Sequence, residues 1–227
     1  MPDKPDLPEL KRKKLDLENR LTALGINDYK VSHLPYLDHS NVTFQTPYDT
    51  ACRLLIVYGI AYIVHHMDDR PKMISWFKQE NLWDKVSEKE KTFLVDPSPG
   101  ERELMNLSWG LEGALTLGWV LGLSNTLHNI DQEETDEEME TFINSIPELG
   151  GETTQFLKNV QYRDLGEIYQ ENLVNEMATA YFRDLLFNGK KDETSINRMV
   201  SFERHKVLNW VRQFSGITDW DETDTST

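Results

Sequence analysis

Residues 104–123 read LMNLSWGLEGALTLGWVLGL, and Glu112 is the sole charged residue among them. A helix that is apolar on every face has no side that suits water, so it must be buried in a larger core. The stretch also reaches the length of a membrane span, roughly 20 residues. Gly110, Gly113, Gly118 and Gly122, the central carboxylate and the lack of a basic flanking cluster favour a soluble core helix instead. A lone carboxylate in such a helix must meet a cation or a set of donors, or keep its proton. What Glu112 is paired with is therefore the first structural question the chain poses.

Two other segments offer partners. Thr46 is an N-cap with Pro47 at the first helical position. The helix they open runs to about residue 66, with Arg53 as its one interior charge and Ile56, Val57 and Ile60 as its face neighbours. Winding 196–214 at about 100° per residue puts Ile196, Met199, Val200, Val207, Leu208, Trp210, Val211 and Phe214 on one broad arc. Glu203 and Arg204 fall within that arc, whereas His205 and Asn209 fall on the opposite side. Glu112, Arg53, Glu203 and Arg204 thus make a set of two acids and two bases expected inside, with Arg204 the first partner for Glu112 and Arg53 the second. Unpaired buried charge costs several kcal/mol, so neutralising one another is the physical solution. Arginine suits it because its fork bonds a carboxylate twice. Such a network fixes helix register; the alternative is that it lines a pocket and holds a polar or anionic ligand.

The remaining punctuation is helical. A charged helix over 9–24 stops at Gly25, and a shorter one spans 71–81 with Trp76 and Phe77 needing cover. Ser87 with Glu90 makes a capping box for 88–95, and Thr135 with Glu138 makes another for a helix ending before Pro147. Ser98-Pro99 repeats the cap-and-proline signal and opens the central helix. Two long helices, 164–187 and 195–214, close the fold. The segment 26–46 reads as a long loop, and no strand alternation or internal repeat is present. The expectation is all-α: a single-domain multi-helix bundle with a central buried apolar helix over about 99–123. Residues 1–8 form a flexible leader, 9–215 the domain, and 216–227 an acidic, frayed tail.

Charge and composition then narrow the function. Lys plus Arg is 24 against 39 for Asp plus Glu, a net charge of −15, which repels phosphate backbones and disfavours nucleic acid. A basic protein partner fits better, and the acidic run 131–140 is the candidate docking face. Cys52 is the only cysteine, so no internal disulfide or thiolate cluster forms, and no signal-peptide core opens the chain. The location expected is cytoplasmic, with no membrane partner. His65-His66 beside Asp68 and Asp69 has metal-ligand types, but adjacent histidines point about 100° apart on a helix. His33 and His39 lie in the loop. No Glu-x-x-His pair, nucleophile elbow or phosphate-cradling loop occurs. No catalytic residue, metal or cofactor is expected, and the oligomeric state is open.

Several short blocks also carry a family likeness: residues 21–26 with Leu34-Pro35, the run from Arg53, 87–90 leading into Phe93-Leu94, Trp109 with Glu112, and 203–205 with 208–210. Through them the chain, over roughly 20–214, resembles the uncharacterised bacterial family called domain of unknown function 4272. The resemblance implies an all-helical fold and no established activity. It also implies an Arg and a His near the centre of the penultimate helix, where this chain has Met177 and Thr179. That departure favours a structural or interaction role over catalysis.

Overall fold

The computed structural model describes residues 7–27, 39–132 and 134–225. Most of the expected leader and much of the 26–46 loop, His33 included, therefore lie outside the described residues. The elements are α1 (Leu7–Ala23), α2 (Pro47–His65), α3 (Arg70–Gln79), α4 (Glu88–Val95), α5 (Glu101–Ser108), α6 (Gly110–Val120), α7 (Asp136–Ser145), α8 (Thr154–Asn159), α9 (Leu165–Phe187) and α10 (Arg198–Val211). Short 3-10 turns join some of them, and no strand occurs among the described residues. The chain is all-α.

Local chemistry places several of the helix starts. Thr46 accepts from the Asp49 amide, and Ser87/Glu90 and Thr135/Glu138 both close as reciprocal capping boxes. Each of these satisfies amides that a helix leaves orphaned at its first turn. Ser98-Pro99 does not open a helix. The amide of Ser98 bonds the Asp96 carboxylate, and α5 starts after Gly100 without a side-chain cap.

The long apolar stretch is two helices rather than one, divided at Trp109. None of α5 is fully buried, and Met105 is 59% exposed, whereas α6 is buried from Glu112 onward. Three of its glycines mark close approach: added methyls at Gly110, Gly113 and Gly118 would lie 3.3, 3.1 and 3.0 Å from Val57, Glu203 and Phe142 respectively. The fourth, Gly122, has φ +70° and ends the helix, with the Leu123 amide reaching back to Gly118 O.

Packed helices run in the order α2, α6, α10, α9, α1. One apolar cluster gathers α2, α3, α4, α6 and the C-terminal half of α10; a second joins α1 to α9 through Ile196 and Val200. Trp76 and Phe77 lie buried in the first, with Trp76 Nε1 donating to Gly151 O. The described part of the acidic tail is docked rather than frayed. Trp220 is buried edge-on against Trp210, the Lys89 amide bonds Asp221, and Asp224 O accepts from Asn209. No helix among the described residues is long and apolar enough to cross a membrane.

Candidate functional site

Glu112 sits in the first turn of α6, facing α10, and is 4% exposed. Arg204, 1% exposed, donates from Nε to Glu112 Oε1 at 2.6 Å. The other carboxylate oxygen, Oε2, lies 3.3 Å from Nε2 of His128, in the segment between α6 and α7. That is ion-pair range, yet the ring nitrogen makes no hydrogen bond of good geometry. Burial pushes the Glu112 carboxyl up, but His128 and the Arg204 guanidinium outweigh it, so the group sits below the usual carboxylate range. Glu112 is an anion bonded by Arg204, with the His128 ring beside its second oxygen.

The four residues expected to share one network fall into three places. Arg53 grips Glu90 with one guanidinium nitrogen, at 2.9 and 2.7 Å, bonds the Lys85 carbonyl, and lies over the Trp220 ring. Glu90 is also the capping-box acid of α4, so Arg53 ties α2 to the start of that helix rather than meeting Glu112. Helical phase put Arg53 inside, but it could not reveal a partner contributed by a different, short helix. Glu203 has Lys206 as its nearest cation, at 3.8 Å, and burial raises its carboxyl. It packs over Gly113 of α6, where a side chain would crowd its oxygen.

His205 and Asn209 do not face water; they are 0% and 1% exposed. The single-arc reading assumed one wet face, whereas α10 lies between α6 and α9 and is covered on both sides. Asn209 donates to His205 Nε2 at 3.0 Å and accepts from Asn172. The ring proton therefore resides on Nδ1, which donates to Thr179 Oγ1 at 3.0 Å. Thr179, one of the two positions where the resemblance implied another residue, in turn donates to Asn175 O. Burial, with Arg212 and Arg183 nearby, lowers the His205 pKa to about 3, so the ring is neutral.

Beside this core, α1, α9 and residues 125–130 border a cleft of about 470 Å³. Arg20, Arg163, Arg204, His128, Glu167 and Glu171 are among its lining residues. Each arginine has a carboxylate: Arg20 with Glu171 at 2.6 Å, Arg163 with Glu167 at 2.9 Å, and Arg204 with Glu112. The cleft is thus balanced in charge but rich in donors. Arg204 Nη2 is buried and has no hydrogen-bond partner among the described residues. The sequence pointed to Arg204 through the phase of α10. His128 lies on no helix and gave no periodic signal.

The profile of the family described as Domain of unknown function (DUF4272) matches residues 13–223. No curated protein and no solved structure matches the chain.

Proposed function

Because the chain belongs to the family described as a domain of unknown function, DUF4272, whose description carries no activity, we propose on geometry that it binds a small oxygen-rich ligand. The ligand is a carboxylate or phosphoryl compound held in the cleft between α1, α9 and residues 125–130. One observation carries the reading: Arg204 lines that cleft, and its Nη2 is a buried donor without an acceptor. A buried donor left unmet costs about 1–3 kcal/mol, so the site favours a guest that accepts from it. Arg20, half exposed at the rim, supplies further donors once its pairing with Glu171 is shared. The pocket is small, concave and edged by a few convergent polar groups, as ligand sites are. The reading is one of binding, without a reaction, in the cytoplasm, where the buried thiol of Cys52 stays reduced.

The test is a panel of inorganic phosphate, succinate and a nucleoside monophosphate, each titrated by calorimetry against chloride at matched ionic strength. Saturable binding of at least one, weakened in Arg20→Gln and in Arg204→Lys, is the expected result. A panel without saturable binding, or one that both variants bind as the parent does, overturns the proposal.

A second reading, contact with a basic protein, draws on the exposed acidic side chains Asp131, Asp136, Glu137 and Glu140 at and before α7. It expects a partner retained from lysate at low salt and released at high salt. Retention that does not depend on salt would count against it.

A further inference from the structure

On the α7 side of Glu112, a different set of atoms converges. We propose that Glu112, His128 and Glu134 bind one divalent transition-metal ion of the zinc class. Each residue offers one ligand atom, and the three atoms lie within 4.8 Å of one another. The proposal shares His128 and the Glu112–Arg204 pair with the ligand cleft but rests on different atoms, Glu112 Oε2 and the Glu134 carboxylate, and Glu134 does not line that cleft.

Four observations support it. The His128 side chain is 5% exposed, and its Nε2 is buried without a hydrogen-bond partner, although it is aimed at Glu112 Oε2. Their separation of 3.3 Å is within hydrogen-bond reach, but the two groups are poorly aligned for one. It matches the edge of a tetrahedron whose metal–ligand bonds are about 2.0–2.1 Å. Next, the two oxygens of Glu112 are divided: Arg204 Nε holds Oε1 at 2.6 Å, which fixes the carboxylate and leaves Oε2 to bind. Such an outer partner is what orients a ligating carboxylate in metal sites. Finally, the site is reachable. His128 and Glu134 line a cleft of about 300 Å³ with Glu137, Glu138 and Thr141.

The neighbouring acids are not equivalent. Glu138 is committed to the Thr135 capping box, accepting from both the amide and the hydroxyl at 2.8 Å, so Glu134 supplies the third ligand. The donor set is one imidazole and two carboxylates, without a thiolate. It suits Zn²⁺, Co²⁺ or Mn²⁺ rather than Cu⁺. Mg²⁺ and Ca²⁺ prefer six or more oxygens and gain little from an imidazole. Two carboxylates against the one Arg204 guanidinium leave a negative charge for the ion to neutralise. Three protein ligands would leave a coordination position for water or a ligand oxygen. His65 and His66, both exposed, lie apart from this cluster, with His66 stacked on Tyr62.

Untagged full-length protein, stripped with a chelator, is titrated with Co²⁺ while visible absorption is read, and with Zn²⁺ by calorimetry. One ion per chain is expected, with the intense bands of a low-coordinate Co²⁺ site and no displacement by excess Mg²⁺. Glu134→Gln and His128→Gln are each expected to weaken binding roughly tenfold or more, while His66→Gln binds as the parent does. Glu134 is only half-buried, so its variant keeps the assay interpretable if removing His128 disturbs the fold. Absence of stoichiometric binding in the parent overturns the site. So does binding that Glu134→Gln leaves unchanged.

Discussion

Replacing Arg204 with methionine is expected to destabilise the protein by about 3–5 kcal/mol, because it strands a buried carboxylate. For a chain of this size that corresponds to a fall in Tm of roughly 6–20 °C. Methionine roughly preserves the volume, so the loss isolates charge and hydrogen bonding from packing. His128 remains 3.3 Å from Glu112 but has no aligned hydrogen bond to it, and it cannot replace the Nε donor at 2.6 Å. Arg198→Met is the built-in comparison. Arg198 pairs with Asp192 at 3.2 Å with half its side chain in water, and such pairs contribute no more than about 1 kcal/mol. Urea denaturation of the two variants measures the difference. Equal, small losses would mean that the Glu112–Arg204 contact is not a structural anchor.

Acid should unfold the protein partly through His205. Its pKa is about 3 in the folded state and about 6.5 in an unfolded chain. Between those values the unfolded state binds a proton that the folded state refuses, so folding stability rises with pH. The contribution is fully present above about pH 6.5. It is lost as pH falls toward 3, at up to about 1.4 kcal/mol per pH unit. Arg212 and Arg183 reinforce the refusal, and Asp224 opposes it. Carboxylates add their own acid dependence, so the measurement is a comparison of stability at pH 7, 6, 5 and 4 for the parent and His205→Gln. The variant is expected to be less stable at pH 7, having lost the Thr179–His205–Asn209 chain, and to show a shallower slope. Parallel slopes would contradict a neutral buried imidazole.

The parts of this fold that could be read from the sequence are those set by near neighbours. Thr46, Ser87 and Thr135 cap their helices through groups three residues away, so the residues that make the signal also make the bond. Arg204 could be placed opposite Glu112 because helical phase is a local property of α10. Where a second element decides the outcome, the local reading failed. Helical phase sets His205 and Asn209 opposite the apolar arc, and nothing in α10 shows that α9 covers that face. Arg53 is satisfied by Glu90, whose short helix follows more than 30 residues later and whose cap gave no hint of a second bond. His128 comes from a segment without period, and Trp220 from a stretch whose acidity hid its one anchoring ring. Ser98-Pro99 misled because the helix begins two residues beyond Pro99, after Gly100, with no side-chain cap.

The central claim is that Glu112 and Arg204 act as one unit pinning α6 to α10, and that the site's other features are built around that pair. A double-mutant cycle tests it most directly, with Glu112→Gln, Arg204→Met and the double variant compared with the parent by urea denaturation at pH 7. Contacting buried groups are coupled by about 0.5–3 kcal/mol, and this pair is expected near the top of that range, with the double variant more stable than the sum of the single losses implies. Losses that simply add, to within about 0.5 kcal/mol, would contradict it.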